Sequence, residues 1–345
     1  MDGKIKVGIG GLGRSGWNIH ARTLKELSDK YEVVAVSDPL EERRKEAIAI
    51  FGCRAYSDFE SLVKDEEVEL VIVATPSHLH APHTITALEA DKNVVCEKPM
   101  ATNLREADLM IEAANKSGRM LAIFHNSLFA PDYLKIKEVI DSGKLGRIVL
   151  IKIYNHVFSR RWDWQTLKKF GGGELRNNGV HPIAQALQIL GNKTLEVFCD
   201  LRKTLTLGDA EDHVKIVLRA ESSPLIDIEV TRACAYPQNK WLVIGTHGGL
   251  VGNAESLRWK YFNPASLPER RLEIEPVPDR SYNFDDIPWI EESWHLTKVS
   301  QSSAAMFYEK LYLAIRYGGS PPVPLELARN VMWVIEKCFE ACRIE

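Results

Sequence analysis

The chain has 345 residues, 45% of them apolar and 26% charged, and its 44 Lys and Arg against 47 Asp and Glu leave a net charge of −3. That balance excludes a surface built on excess basic charge, and with it a nucleic-acid partner, while leaving room for small anionic ligands. The length exceeds what one hydrophobic core usually serves, so two domains are expected.

The first residues run directly into an apolar strand pattern, Ile5-Lys6-Val7-Gly8-Ile9, with no basic segment ahead of a long apolar one. No secretory leader is expected, and no stretch approaches the ~20 apolar residues of a membrane span. Six cysteines are scattered along the chain, and only Cys338 and Cys342 are close, one helical turn apart. Without a Cys-x-x-Cys pattern or a nearby ligand residue they read as core and surface positions, and a reducing, cytoplasmic location is expected.

In the first half, apolar runs at Ile5–Ile9, Val33–Val36, Leu70–Ala74, Asn93–Cys96 and Met120–Phe124 alternate with segments of helical period. Such alternation predicts βαβ units and a parallel sheet buried on both faces. Gly8, Gly10 and Gly13 match G-x-G-x-x-G between a strand and a helical stretch from Trp17 to Leu27. With Gly11, Leu12 and Arg14 they form the expected pyrophosphate cradle, where free N–H groups at a helix start favour an anion. Asp38 lies 25 residues beyond Gly13. There a carboxylate hydrogen-bonds the adenosine ribose of NAD and repels a 2′-phosphate. Arg43 and Arg44 follow, and they keep NADP as the second cofactor reading, although a solvated helix face explains them more simply.

Thr75-Pro76-Ser77-His78-Leu79-His80-Ala81-Pro82-His83 places three histidines within six residues. No local Cys, Asp or Glu completes a ligand set, so no metal is expected, and Thr75, Pro76, His78 and His80 are assigned to a loop beside the nicotinamide half. The run Asn93-Val94-Val95-Cys96 then stops at Glu97-Lys98-Pro99. Proline disfavours helical geometry at the residue before it, so Lys98 should leave the strand extended, at the end of a parallel sheet where ligands bind.

The order of these features resembles the Gfo/Idh/MocA family, the dehydrogenases grouped with glucose-fructose oxidoreductase and inositol dehydrogenase. The matching pieces are G-I-G-G-L-G at the first turn, A-T-P-S-H-L-H at Ala74–His80 and E-K-P at Glu97–Pro99. The resemblance implies that Lys98 contacts a substrate hydroxyl beside the nicotinamide, with Glu97 next to it on the cofactor side.

From Arg147 onward longer strands follow one another: Ile148–Tyr154, Glu196–Leu201, Val214–Arg219, Leu225–Thr231 and Lys240–Thr246. Few helices intervene, which predicts an antiparallel sheet. A helix from Pro131 to Ser142, stopped by Gly143 and Gly146, precedes these strands, and another from Leu325 to Cys342 follows Pro321-Pro322-Val323-Pro324. The expected architecture is α/β plus α+β: a Rossmann dinucleotide-binding domain over residues 1–124, then an open, mainly antiparallel β-sheet domain over residues 125–345 for substrate binding and oligomerisation. The C-terminal helix is expected near the domain junction. The family has the same two-domain plan.

Chemistry in the second half concentrates at Arg160-Arg161-Trp162-Asp163-Trp164-Gln165 and at Gly171-Gly172-Gly173-Glu174-Leu175-Arg176-Asn177-Asn178-Gly179-Val180-His181-Pro182. Asn177 and His181, four apart, share a helix face, and histidine suits proton transfer near neutrality. Taken alone, a histidine on an amphipathic helix reads more simply as a satisfied core or surface residue. The resemblance reverses that reading, because the family motif G-G-G-x-L-x-D-x-G-x-H-x-x-D is matched at Gly171 to Gly173, Leu175, Gly179 and His181. Asn177 and Ala184 replace its two aspartates, removing a carboxylate that would stabilise imidazolium. Lys98, His181 and Asn177 are therefore the catalytic candidates. Asn126, Arg161, Trp162 and Trp164 join them as substrate contacts, rings covering sugar C–H faces and polar groups holding hydroxyls. Tryptophans packed at a domain interface are the competing explanation.

The implied activity is NAD(P)-dependent hydride transfer at a secondary alcohol or ketone of a sugar, polyol or carbohydrate derivative. The same site would serve a redox-neutral carbohydrate lyase or hydrolase working through transient oxidation. A non-catalytic NAD- or sugar-binding regulator is the third reading, motivated by the missing carboxylates and opposed by Lys98 and His181. A homo-oligomer, dimer or tetramer, is expected because an open sheet needs a cover.

Overall fold

The structure is a computed structural model, and it describes residues 3–191, 193–275, 280, 282–297 and 301–342. The apolar runs of the first half form β1 (Ile5–Gly10), β2 (Tyr31–Ser37), β4 (Leu70–Val73), β5 (Asn93–Cys96) and β6 (Leu121–Ile123), with a short β3 (Arg54–Tyr56) at one edge. All six pair in parallel, in the order β3-β2-β1-β4-β5-β6. Every residue of β4 is inaccessible to solvent, which is why it is apolar without alternation. Between the strands run α1 (Arg22–Glu26), α2 (Glu41–Phe51), α3 (Phe59–Val63), α4 (His80–Glu89) and α5 (Leu104–Ser117), and a π-helical turn, Gly16–Ala21, leads into α1. Strand order reverses between β1 and β4, and a crevice opens beyond their C-terminal ends.

Helix α6 (Pro131–Asp141), strand β7 (Ile148–His156) and helix α7 (Val180–Leu190) start the second half, followed by β8 (Glu196–Arg202), β9 (His213–Arg219), β10 (Leu225–Thr231) and β11 (Trp241–Gly245). Beyond them lie β12 (Gly248–Gly252), β13 (Ser256–Tyr261) and β14 (Ile290–His295). These strands form one sheet in the order β14-β13-β12-β11-β7-β10-β9-β8. Only β7 and β10 pair in parallel; the other neighbours are antiparallel. Burial alternates along β10, with Ile226, Ile228 and Val230 inside and Leu225 exposed, as expected of a sheet solvated on one face. On the outward face Lys215 sits 2.6 Å from Asp227 and 3.0 Å from Glu229.

The chain ends in α8 (Ser303–Tyr317), capped by Ser302 on the Ala305 amide, and α9 (Leu325–Ala341). Helix α9 packs on α7 and β8 and also on α5 and β6 of the first sheet. Helix α8 returns to the first half: the Tyr31 hydroxyl donates to the Tyr308 carbonyl at 2.7 Å, and Phe307 meets Phe124 edge-on at 4.9 Å. No helix among the described residues is long and apolar enough to cross a membrane.

Candidate active site

Strand β1 ends at Gly10, and the chain turns at Gly11, whose φ of 90° is a left-handed conformation that glycine adopts without strain. A Cβ there would lie 2.7 Å from the Ala74 carbonyl oxygen, so the close approach of the two strand ends requires glycine as well. The helical turn then brings Gly16 against the Gly11 carbonyl. The glycine fingerprint is therefore Gly11-Leu12-Gly13-Arg14-Ser15-Gly16, three residues later than expected. Gly8 and Gly10 are strand residues, packed under Leu62, Val68 and Phe59, and do not line the crevice. Both registers satisfy the spacing, and the end of β1 decides between them.

Asp38, at the end of β2, is 3% exposed. Its Oδ2 accepts the Leu12 amide at 2.8 Å and its Oδ1 the Leu40 amide at 2.9 Å, so the carboxylate also clamps the glycine turn. Arg43 reaches Oδ2 at 3.3 Å, and Arg44 donates to the Asp38 carbonyl at 2.7 Å. Arg44 thus holds the end of β2, while Arg43, with its side chain 45% exposed, stays on the solvated helix face. A cavity of about 820 Å³ runs from Gly11, Gly13, Arg14 and Asp38 past Thr75 and Pro76 to Glu97, Lys98, Arg161, Trp164 and Asn177. A dinucleotide fits this arrangement: a backbone cradle at a helix start, a ribose-binding acid at one end and a cationic side chain at the other.

Lys98 Nζ donates to the Asn177 carbonyl at 2.9 Å, joining the end of β5 to the turn that leads into α7. Behind it Glu97 is buried, with Oε2 accepting the Lys98 amide at 2.9 Å and Oε1 3.0 Å from His20 Nε2. His20 Nδ1 lies 2.7 Å from the Tyr308 hydroxyl. A carboxylate accepts only, so Nε2 carries the proton toward Glu97 and Nδ1 accepts from the tyrosine. Burial opposes ionisation of Glu97, but the hydrogen bond from His20, the charge of Lys98 and the Lys98 amide outweigh it and bring the carboxyl down to about 2. Burial lowers the Lys98 pKa, with Glu97 working against the shift and Arg14 adding to it.

The three clustered histidines diverge. His80 bridges the Pro99 carbonyl (2.7 Å) and the Thr75 carbonyl (2.9 Å), tying the loop to the Glu97-Lys98-Pro99 segment. Burial lowers its pKa, so the neutral ring donates to one carbonyl at a time. His83 stacks on Phe59 at 4.1 Å and lines the cavity, whereas His78 leans on Phe170 at 5.2 Å and stands outside the lining.

Arg161 forks onto Asp163 at 2.9 and 2.8 Å and also contacts Gln165 Oε1, to which Asn177 Nδ2 donates at 3.3 Å. Gln165 thus links the aromatic loop to the helix. Trp164 lines the cavity, whereas Trp162 is 77% exposed and stands outside the lining. Asn126, in the short turn Asn126–Phe129 after β6, is half-buried and also stands outside the lining. His181 is half-buried with Nδ1 unpartnered among the described residues. Burial, then the charges of Lys98 and His125, hold its pKa well below the ordinary value. Ala184, where the family motif has its second aspartate, is fully buried among apolar side chains of α7.

Sequence reasoning missed His20, Tyr308 and His125. In the parallel pairing of β5 with β6, Cys96 stands beside Ile123, so two residues on His125 follows the same course as Lys98. It is 1% exposed, both ring nitrogens lack a hydrogen-bond partner among the described residues, and burial pushes its pKa down to about 4. The parallel register was the one signal for it in the sequence.

Residues 5–125 match a family model described as an oxidoreductase family with an NAD-binding Rossmann fold, and residues 133–251 match the GFO/IDH/MocA C-terminal domain. The chain is 27% identical to a scyllo-inositol 2-dehydrogenase (NADP(+)) of Bacillus subtilis, covering 98% of this chain and 94% of that one. It is 31% identical to a myo-inositol 2-dehydrogenase of Thermotoga maritima, covering 72% and 75%. A solved NAD-binding protein of Listeria innocua superposes with a TM-score of 0.80 at 26% identity, covering 98% and 95%. Both halves of the chain thus carry one family's signature, and the chain belongs to the Gfo/Idh/MocA oxidoreductases, with an NAD-binding Rossmann fold.

Proposed function

We propose that this enzyme oxidises a secondary alcohol of a polyol or sugar, or reduces the corresponding ketone, with NAD as the preferred cofactor. The observation that carries the reading is Lys98, held by the Asn177 carbonyl at 2.9 Å in the same cavity as the glycine turn and Asp38. When bound, NAD accepts or returns the hydride at the substrate carbon. Lys98 hydrogen-bonds the reacting oxygen and stabilises alkoxide-like charge as it develops. His181, held neutral by its burial, accepts the proton, and Asn177 orients the substrate hydroxyl or the imidazole. Arg161, Trp164 and Gln165 close the substrate end. The relatives named as inositol 2-dehydrogenases favour a cyclic polyol.

We place the domain boundary near residues 124 and 125, with α8 returning to cover the first unit and α9 at the junction. A dimer or tetramer formed through the outward face of the eight-stranded sheet is supported by exposed Phe198 and Ile244 on that face. The six unpaired cysteines support a cytoplasmic location.

A panel of cyclic polyols and sugars, followed at the nicotinamide absorbance with NAD and NADP in parallel, tests substrate class and cofactor together. Lys98→Met should lower turnover by ~10³-fold or more while sparing NAD binding. Turnover near wild type in that variant would remove Lys98 from the chemistry. Tight NAD binding without turnover across the panel would favour a regulator.

A further inference from the structure

Away from the active site, α9 meets β8, the last strand of its sheet, and three cysteines converge there. Cys199 Sγ lies 3.1 Å from Cys342 Sγ. Cys199 Sγ is 3.4 Å from the Cys338 carbonyl, and Cys342 Sγ is 3.3 Å from the Cys199 carbonyl. A disulfide sulfur pair stands at about 2.05 Å, so bonding needs an approach of only ~1 Å. In sequence the neighbours are Cys338 and Cys342, but Cys338 is fully buried within α9, and the thiol that faces Cys342 comes from β8.

We propose that Cys199 and Cys342 are a modification site, a thiol pair that closes into a reversible disulfide fastening the end of α9 to β8. The two members have complementary properties. Cys342 is half-exposed and within reach of a small oxidant, whereas Cys199 is buried. Hydrogen bonding with Cys338 and Cys342, against the effect of burial, brings the Cys199 thiol down to about 7. Cys338 is pushed far up, by its hydrogen bond to Cys199 and by burial, and stays a thiol.

The oxidant is a small disulfide such as oxidised glutathione. Burial and the hydrogen bond with Cys199 push the Cys342 thiol up to about 11, so the small thiolate fraction of this more exposed member attacks one of the oxidant's sulfurs slowly, forming a mixed disulfide and releasing one glutathione thiol. The Cys199 thiolate then attacks the Cys342 sulfur, forming the protein S–S bond and expelling the second glutathione. Two protein thiols lose two electrons and two protons, and one disulfide becomes two thiols. Helix α9 also packs on α7, and Phe339 of α9 carries the Arg176 guanidinium at 4.3 Å, so the bond fixes an element in contact with the helix that bears His181.

The test uses the full-length enzyme incubated with oxidised glutathione or with dithiothreitol. Oxidation is expected to lower the intact mass by about 2 Da, as two hydrogens leave. Four of the six thiols should remain titratable in the unfolded oxidised protein, with one proteolytic cross-link joining the Cys199 and Cys342 peptides. Cys338→Ser should leave this unchanged. Cys199→Ser should trap a glutathione adduct on Cys342, a readout that needs no activity. Wild type retaining six thiols, a persistent adduct on Cys342 in wild type, or a cross-link through Cys338 would overturn the proposal.

Discussion

Replacing Tyr308 by phenylalanine removes one oxygen and leaves the aromatic packing on Tyr31, Phe124 and Phe307 in place. The lost group is the donor to His20 Nδ1 at 2.7 Å, in a region where His20 is inaccessible to water. A buried neutral hydrogen bond contributes about 1 kcal/mol net, and leaving its acceptor orphaned costs about 1–3 kcal/mol, so a destabilisation of ~1–3 kcal/mol is expected. Urea unfolding followed by tryptophan fluorescence measures it, with Tyr236→Phe, 92% exposed, as a control expected within about ±0.5 kcal/mol. The sharper readout is a double-mutant cycle with His20→Leu. If the hydroxyl acts through the imidazole, the two losses should be non-additive by ~0.5–3 kcal/mol. A coupling energy indistinguishable from zero would refute the chain from Tyr308 through His20 to Glu97.

The remaining predictions concern cofactor choice and pH. Asp38→Ser removes the carboxylate that faces the ribose site and frees Arg43 from its 3.3 Å contact. The NADP-to-NAD ratio of kcat/KM should rise by at least ~10-fold, and an unchanged ratio would dissociate Asp38 from cofactor selection. His181 must be neutral to accept a proton, and its pKa lies well below 6.5, so activity should be independent of this group at neutral pH and fall only on acidification. Asn177→Asp adds a carboxylate four residues away that favours imidazolium, and the acid limb of kcat/KM should move up by ~1 pH unit. A limb that stays in place would show that His181 does not feel position 177.

Much of the fold was legible because a parallel sheet covered on both faces leaves near-continuous apolar runs, as in Leu70–Val73. The short β3 and the edge strands carry no such mark. Strand β12 has three glycines in five residues, and β14 alternates half-buried with exposed side chains, so neither stands out from a loop. That Lys98, Asp38 and Asn177 line one cavity was readable because turn geometry and motif spacing are local properties. The glycine register was ambiguous because two overlapping triplets fit the same pattern, and only the length of β1 separates them. His20 and Tyr308 were out of reach for a different reason: 288 residues separate them, and neither has a local signature of a partner. Trp162 looked like a sugar platform by composition, yet side-chain direction in an irregular loop is set by tertiary contacts that spacing does not encode.

The return of α8 to the first sheet bears on how the enzyme is made. At ~5–20 residues per second, on the order of 15–60 s pass between synthesis of His20 and that of Tyr308. During that interval the six-stranded sheet can assemble, but the seam formed by His20, Tyr31 and Phe124 has no cover. A nascent chain of this length presents an aromatic groove with a carboxylate at its base, the kind of surface that holding chaperones bind. Closure of the seam around Glu97 therefore waits for the synthesis of α8, long after the residues it covers have left the ribosome.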